Sequence, residues 1–395
     1  MKKLALSFIA FTLCSFAVLV HAQHLQNPAT PGFARPHRGT PRLSTAASPA
    51  ALPPYETPAS LACIYQLATP LVPGCPVLAT TAVPTGGSGM IVIVNAFDNP
   101  PALADLNVFS RHFGLPTCDP TNKCFSKVYA TGVKPPVDEL WAQSAAVVTE
   151  YAHAFAPQAQ VVLVEAASSA VTDMWIAVRK ANNILKNHGG GQMILPFSIL
   201  EDPSQTQVDP LFTTPGVVYI SGNQGGLGFF DYPGTSPNVI CLGGSSVIRD
   251  SAGNFVREES TTFWAGGQSL FESRPSYQDG IADIIGNQRG IPDLAFASDP
   301  IKGAILYYTS VNFDGFVGWI FEGNVGVAEA GVAGIINRAG THASSSAEEL
   351  SLLYGTLGDT SVFTDITKGQ AFGIFAKPGW DFLTGIGTPV GLKGK

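Results

Sequence analysis

Glu322 and Glu329 stand on either side of Val325, and Ser144 and His153 share one helix-patterned segment. Two carboxylates facing each other across a cleft can do acid–base work of the kind that hydrolyses glycosidic bonds. A serine hydroxyl becomes a nucleophile only when a base lies beside it. On local pattern the bland assignment is stronger: Glu322 and Glu329 are expected to be a solvated loop residue and a solvated first-turn residue, the latter favoured by the positive end of a helix. His153 is expected to be a packed or hydrogen-bonded helix residue rather than a ligand. The chain has no G-x-S-x-G elbow, Walker loop or H-E-x-x-H pair, and its glycine runs at Gly189 and at Gly222–Gly228 read as turns. Among the cysteines, Cys63 with Cys75 and Cys118 with Cys124 are the economical disulfide pairs, each closing a short loop. Cys241 is left over in the apolar run NVICLG, where a thiol is a small buried hydrophobe. No cysteine pair has a second pair and histidines at zinc spacing.

These groups need a scaffold. Met90–Asn95, Gln160–Glu165, Gln192–Phe197, Gly216–Ser221 and Asn238–Gly243 are short, nearly unbroken apolar runs, the mark of strands buried on both faces. Between and after them, Pro101–Phe113, Asp138–Phe155, Ala170–Asn187 and Val325–Arg338 carry helical spacing. Alternating strands and helices predict an α/β fold with a parallel sheet and right-handed crossovers. In such sheets chemistry gathers beyond the carboxyl ends of the strands, here the loops after Asn95, Glu165, Phe197 and Ser221.

Composition and the chain's beginning narrow the class. The chain has 395 residues, 45% apolar and only 13% charged, with 42 Gly and 30 Pro, so it can bury a sizeable core and is rich in turns. Its net charge is −7 with no long basic block, which argues against nucleic-acid binding. Lys2 and Lys3 precede an apolar run from Leu4 to Val20, and Val20-His21-Ala22 offers a cleavage point, so residues 1–22 read as a secretory signal peptide. The competing assignment is an N-terminal membrane anchor; no later segment could span a bilayer. Export would permit the disulfides. Residues 23–58, dominated by Pro, Ala, Thr and Ser, read as a flexible lead or linker, leaving residues 59–395 as one large domain.

Seven segments in series resemble the sedolisin family, the secreted serine-carboxyl peptidases with a subtilisin-like fold. They are IVNAFDNPPALADL ending at Leu106, FGLPTC at Phe113–Cys118, WAQSAAVVTEYAHAFAPQAQ at Trp141–Gln160, ISGNQGG at Ile220–Gly226, YPGTSPNVICLGG from Tyr232, RGIPDLAFASDP at Arg289–Pro300, and TDIT with GWDFLTGIGTP between Thr364 and Pro389. The resemblance implies a subtilisin-like parallel sheet flanked by helices. It also implies a serine nucleophile, a Glu that takes its proton, an Asp one helical turn on that orients the Glu, and a second Asp at the oxyanion. Carried onto this chain, the Glu position is Ser144, the orienting Asp is Val148, the oxyanion Asp is Asn223, and the serine is Val325 in Gly323-Asn-Val-Gly-Val-Ala-Glu329. An amide can still donate to an oxyanion, but valine has nothing to attack with.

Loss of such a nucleophile costs on the order of 10⁶ in turnover. The expectation is a catalytically inactive pseudopeptidase that acts in binding or as a scaffold, with a peptide or extracellular protein in the former substrate cleft. The alternative is an acid endopeptidase or other hydrolase with relocated groups. The resemblance further implies one structural calcium ion, held by the Asp365 and Asp381 side chains and main-chain oxygens at Ile366, Lys377 and Gly379, a hard cation suited to oxygen ligands. Lys377 stands where the family has Gly. Two more expectations follow from the family. Its large blocking prodomain is expected to have no counterpart in the short stretch from Gln23 to Leu61, in keeping with an inactive domain that would need no restraining. The family's substrate-side strand appears as Leu195-Pro-Phe-Ser198, where Pro196 removes a backbone donor and should weaken pairing with an extended ligand.

Overall fold

The structure is a computed structural model that describes residues 32–38, 42–44, 55–77, 83–226, 231–311, 315–340, 343–393 and 395; the expected signal peptide, 1–22, lies outside these. The elements that concern the site are β1 (Arg35–Pro36), β2 (Met90–Ala96), α1 (Ala102–Phe113), β3 (Phe125–Tyr129), α2 (Glu139–Phe155), β4 (Gln160–Ala166), α3 (Val171–His188), β5 (Gly191–Leu195), β6 (Phe197–Leu200), β7 (Val217–Gly222), β8 (Asp231–Tyr232), β9 (Ile240–Arg249), β10 (Phe255–Ser260), β11 (Leu294–Ala297), β12 (Ala304–Thr309), β13 (Val317–Glu322) and α4 (Val325–Ala339). The central sheet runs β10-β9-β7-β5-β2-β4-β3, with β11 also on β9. All its pairings are parallel except β9 with β10. It is the expected α/β domain, a largely parallel sheet between helical layers.

Alternation within the strands builds two cores. Ile91 and Ile93 of β2 face one side with Val161 and Leu163 of β4, packed under α2 and α4. Val92, Val94, Val162 and Val164 face the other, under α3. A strand sandwiched this way must be apolar at every position, which is why period-two polarity is missing from the sequence. Helix ends are set by local chemistry. Asp138 caps α2 by accepting the Leu140 and Trp141 amides, Asn324 caps α4 by accepting the Gly326 amide at 2.6 Å, and Gly189 closes α3 in the left-handed region that a side chain disfavours.

Two features depart from the local pattern. The expected strand Gln192–Phe197 is split at Pro196 into β5 in the central sheet and β6, which turns out of it to pair with β1 and β8. The 23–58 stretch, expected as a flexible lead, is built into the fold where it is described. Arg35–Pro36 forms β1 on β6, Arg42–Ser44 pairs with β13, and Tyr55 is buried in the first core. Its composition cannot make a core of its own, but it can lie as an added strand against one.

Candidate functional site

The parallel strands deliver their carboxyl ends to one edge, and the polar groups converge there. Ser144 and Val148 face inward from α2, and Val325 opens α4; all three are fully buried. Val325 is pressed onto the end of β7, so tightly that a Cβ on Gly222 would come within 2.4 Å of its methyl group. Val148 packs against the next turn, 2.9 Å from where a Cβ on Gly326 would lie. Ser144 Oγ donates weakly to the Pro196 carbonyl at 3.5 Å, with no base hydrogen-bonded to it among the described residues. Asn223 donates its side-chain amide to the Ala265 carbonyl at 2.9 Å. The four positions singled out by the resemblance thus lie buried near the carboxyl ends of the strands, where they supply hydrocarbon, an isolated hydroxyl and an amide already engaged.

A second set of groups, of which Glu329 but not His37, Asp231 or Gln224 was singled out by sequence, lies beside them. The strap Phe33–Arg38 lies between two segments: the Ala34 amide donates to the Ser169 carbonyl at 2.8 Å and the His37 amide to the Pro196 carbonyl at 2.8 Å. In β1, Arg35 stands opposite Ser198 and Pro36 opposite Phe197. In this intramolecular pairing the strap uses the carbonyl of Pro196 and not its missing N–H. Gln224 clasps the strap's end, accepting the Arg38 amide at 3.1 Å and donating to its carbonyl at 2.6 Å.

Side chains of the strap reach buried acids. Arg35 pairs with Asp231 at 3.3 Å. His37 Nδ1 lies 2.8 Å from Glu329 Oε1, and its Nε2 lies 2.5 Å from Ser198 Oγ. His37, Ser198 and Glu329 are all at most 2% exposed. Burial drives His37 down to about 3, helped by the Arg35 charge, and burial pushes Glu329 well above the usual carboxylate range, against donation from the Gly222 amide. His37 is therefore neutral near pH 7. Each ring nitrogen of His37 thus meets one buried polar group, Nδ1 the Glu329 carboxyl and Nε2 the Ser198 hydroxyl. Ser198 in turn hydrogen-bonds Asp231, which opposes the upward push of burial on that acid.

The glutamates expected to be solvated are therefore both buried. Glu322, at the end of β13, accepts the Asn324 side-chain amide at 2.6 Å. Glu329 lies one turn into α4, on the face turned to the strap. The helix-dipole argument placed it correctly along the helix but not around it. His153 conforms to expectation: its Nε2 donates to the Pro116 carbonyl at 2.7 Å. So do the disulfides Cys63–Cys75 and Cys118–Cys124 and the buried free Cys241, whose thiol burial pushes up.

The C-terminal loop brings the expected metal-site residues together. Asp381 is buried; it accepts the Lys377 amide at 3.0 Å, the Leu383 amide at 2.8 Å and the Thr384 amide at 2.9 Å. Asp365 Oδ2 accepts the Gly379 amide at 2.9 Å. Asp365 Oδ1 is buried without a hydrogen-bond partner among the described residues, a free lone pair of the kind a hard cation takes. Both Asp381 oxygens already accept backbone donors, so Asp365 Oδ1 is the one carboxylate oxygen of the set left without a partner. Lys377 contributes only backbone to these contacts, so its side chain is no obstacle.

The strand order and its helical layers define a single α/β domain built on a largely parallel sheet. The chain is 32% identical over 200 residues to kumamolisin of Bacillus sp. (strain MN-32), covering 44% of this chain and 33% of that protein. It is 30% identical over 173 residues to sedolisin of Pseudomonas sp. (strain 101), covering 40% and 28%. The matched stretches thus span about a third of those relatives. Among solved structures, Pseudomonas sedolisin, a serine-carboxyl proteinase complexed with pseudo-iodotyrostatin, superposes with a TM-score of 0.66 at 19% identity, over 86% of this chain and 96% of that one. No family model matches the chain. The fold of this chain is that of the sedolisin family. No helix of the described residues is long and apolar enough to cross a membrane.

Proposed function

We propose that this is an exported, non-hydrolytic sedolisin-like protein whose cleft binds an extended peptide and whose C-terminal loop holds one structural calcium ion. The observation that carries it is Val325, a branched hydrocarbon packed onto Gly222 at the position the resemblance assigns to the nucleophile, while Ser144 and Val148 supply no base. Incubation of the purified protein with denatured protein and a peptide library, from about pH 3 to pH 8 with and without calcium, is expected to give no cleavage. Cleavage abolished by Ser144→Ala or Glu329→Gln would overturn the reading. Two disulfides and the leader-like residues 1–22 support export.

A second reading rests on Ser198, His37 and Glu329, which form a hydroxyl–imidazole–carboxyl relay of the kind that activates a serine. In it Ser198 would attack a carbonyl, its proton passing to His37 Nε2. Burial of the hydroxyl, which leaves no room for a substrate carbonyl beside it, favours a structural lock instead. A fluorophosphonate probe decides: labelling of Ser198, lost in Ser198→Ala, would establish the hydrolase, and no labelling is expected.

For calcium, the proposed ligands are the Asp365 and Asp381 carboxylates and the main-chain oxygens of Ile366, Lys377 and Gly379. The ion would tie the loop that runs between the paired segments Phe363–Thr364 and Thr388–Pro389. Chelation should lower Tm, and Asp381→Ala should remove that sensitivity; an unchanged melt with chelator would count against the site.

A further inference from the structure

The disulfide Cys118–Cys124 closes an exposed loop, Asp119–Lys123, at the amino ends of β3 and β4, the edge of the sheet opposite the candidate site. A ring nitrogen of His153, in the last turn of α2, lies within 4.8 Å of both sulfurs. His153 is fully buried, its Nε2 meets the Pro116 carbonyl, and its Nδ1 has no hydrogen-bond partner among the described residues. A carbonyl can only accept, so the neutral ring carries its proton on Nε2 and a bare lone pair on Nδ1. Metal-ligating histidines are held in this way, one nitrogen donating to a backbone carbonyl and the other left to ligate. The third group comes from a different element than the two cysteines, so no sequence spacing marks the cluster.

The backbones that carry the sulfurs are fixed by bonds other than the disulfide. Asn107 accepts the Cys118 amide at 2.7 Å and donates to the Cys118 carbonyl at 2.9 Å. The Cys124 carbonyl accepts the Val161 amide of β4 at 2.8 Å, and within the loop Asp119 accepts the Thr121 amide at 2.7 Å and the Asn122 amide at 3.0 Å. Opening the S–S bond therefore leaves two thiols and an imidazole close together on a held backbone.

We propose that reduction of Cys118–Cys124 turns this corner of the fold into a three-ligand site for a thiophilic cation, zinc(II) or copper(I), bound by Cys118, Cys124 and His153. The site is separate from the cleft and does not depend on what the cleft does. The reductant is an external dithiol. Its thiolate attacks the half-buried Cys124 sulfur and Cys118 departs as a thiolate; the second sulfur of the dithiol then displaces Cys124. Two electrons pass to the protein and the dithiol leaves as its own disulfide. Cation binding takes both cysteines as thiolates and releases their protons. Three protein ligands leave the fourth position of a tetrahedral zinc to water, and soft thiolates equally select copper(I). Because the cation binds the reduced form alone, it makes the disulfide easier to reduce in proportion to its own occupancy.

The test uses the full chain, reduced with a dithiol, freed of it under nitrogen and titrated with cobalt(II), whose charge-transfer absorption reports thiolate ligation. The reduced protein is expected to show the band, and zinc(II) or copper(I), added in separate arms, to bleach it; the oxidised protein should show none. Cys63–Cys75 is reduced as well, so Cys63→Ser/Cys75→Ser must keep the band and Cys118→Ser/Cys124→Ser must lose it. His153→Gln is expected to weaken cobalt binding by about tenfold or more, the scale on which even a ligand's supporting partner acts, while thiolate charge transfer remains. Should that variant fail to fold by circular dichroism, a zinc-dependent shift of the His153 ring-nitrogen resonance in the reduced, isotope-labelled unaltered chain reads the same contact. No thiolate band in the reduced protein, a band that survives loss of Cys118 and Cys124, or no response from His153 would overturn the proposal.

Discussion

At Val325 two methyl groups fill the space above Gly222 in which a hydroxyl and a tetrahedral adduct would have to form. The replacement is legible in sequence because it sits inside segments whose flanks match the family, as do Ser144, Val148 and Asn223. His37, Ser198, Asp231 and Gln224 were not legible as a group, because each belongs to a different segment and none lies in a catalytic motif. The one available hint was the Arg35-Pro36-His37-Arg38 cluster in an otherwise Pro/Ala-rich stretch, which composition averages away. His37 now satisfies two buried groups at once. His37→Ala is expected to lower unfolding free energy by about 1–3 kcal/mol, the usual cost of an orphaned buried polar group, measured by urea denaturation. His37→Gln, which can still bond one of the two, should recover part of it; a variant as stable as the parent would show that the relay holds nothing.

Elements were the more readable scale. The buried strands and the four long helices follow from unbroken apolar runs and helical spacing, and they differ from expectation by a residue or two at their ends, except for the strand split at Pro196 and for β9, which runs six residues beyond the expected Gly243 to Arg249. What pattern could not foresee was orientation about a helix axis once both faces are covered. In α4, Ala, Gly and Val surround the axis, so no polar stripe marks the outside, and Glu329 was assigned to solvent although α4 lies sandwiched between α2 and the sheet. The glycines on this helix are themselves packing residues. A Cβ on Gly334 would stand 2.4 Å from the Phe155 Cβ, so Gly334→Ala must force α2 and α4 apart. The expected cost is about 1–3 kcal/mol from overpacking, read as a lower urea midpoint at unchanged m; a neutral or stabilising effect would mean the helices have slack.

Over the whole molecule, buried ionisable groups tie stability to pH. Burial raises Glu165 to about 8 and Asp105 to about 6. A carboxyl whose folded value is raised keeps its proton more readily folded than unfolded, so its contribution is complete below about pH 4 and is lost as pH climbs through the folded value. His37, held down at about 3, acts in the opposite sense: the unfolded imidazole takes up a proton below about 6.5 while the folded one does not, so stability is lost as pH falls from there towards 3. Tm is therefore expected to peak in the weakly acidic range and to fall between about pH 6 and 8, and Glu165→Gln should flatten that alkaline fall. A Tm that rises steadily to pH 8 would contradict it. The sequence by itself determined the α/β class, the strand and helix positions, the disulfide pairs and the hydrocarbon at Val325, since each rests on local period, short-range loop closure or residue identity. Only the tertiary structure decided that a stretch from the poorly core-forming lead lies in the cleft as a strand. It also decided that Glu329 is buried beneath that strand and that His37 joins Glu329 to Ser198. Contacts between residues 161 and 292 positions apart depend on how the sheet gathers its carboxyl ends, and no local pattern carries that information.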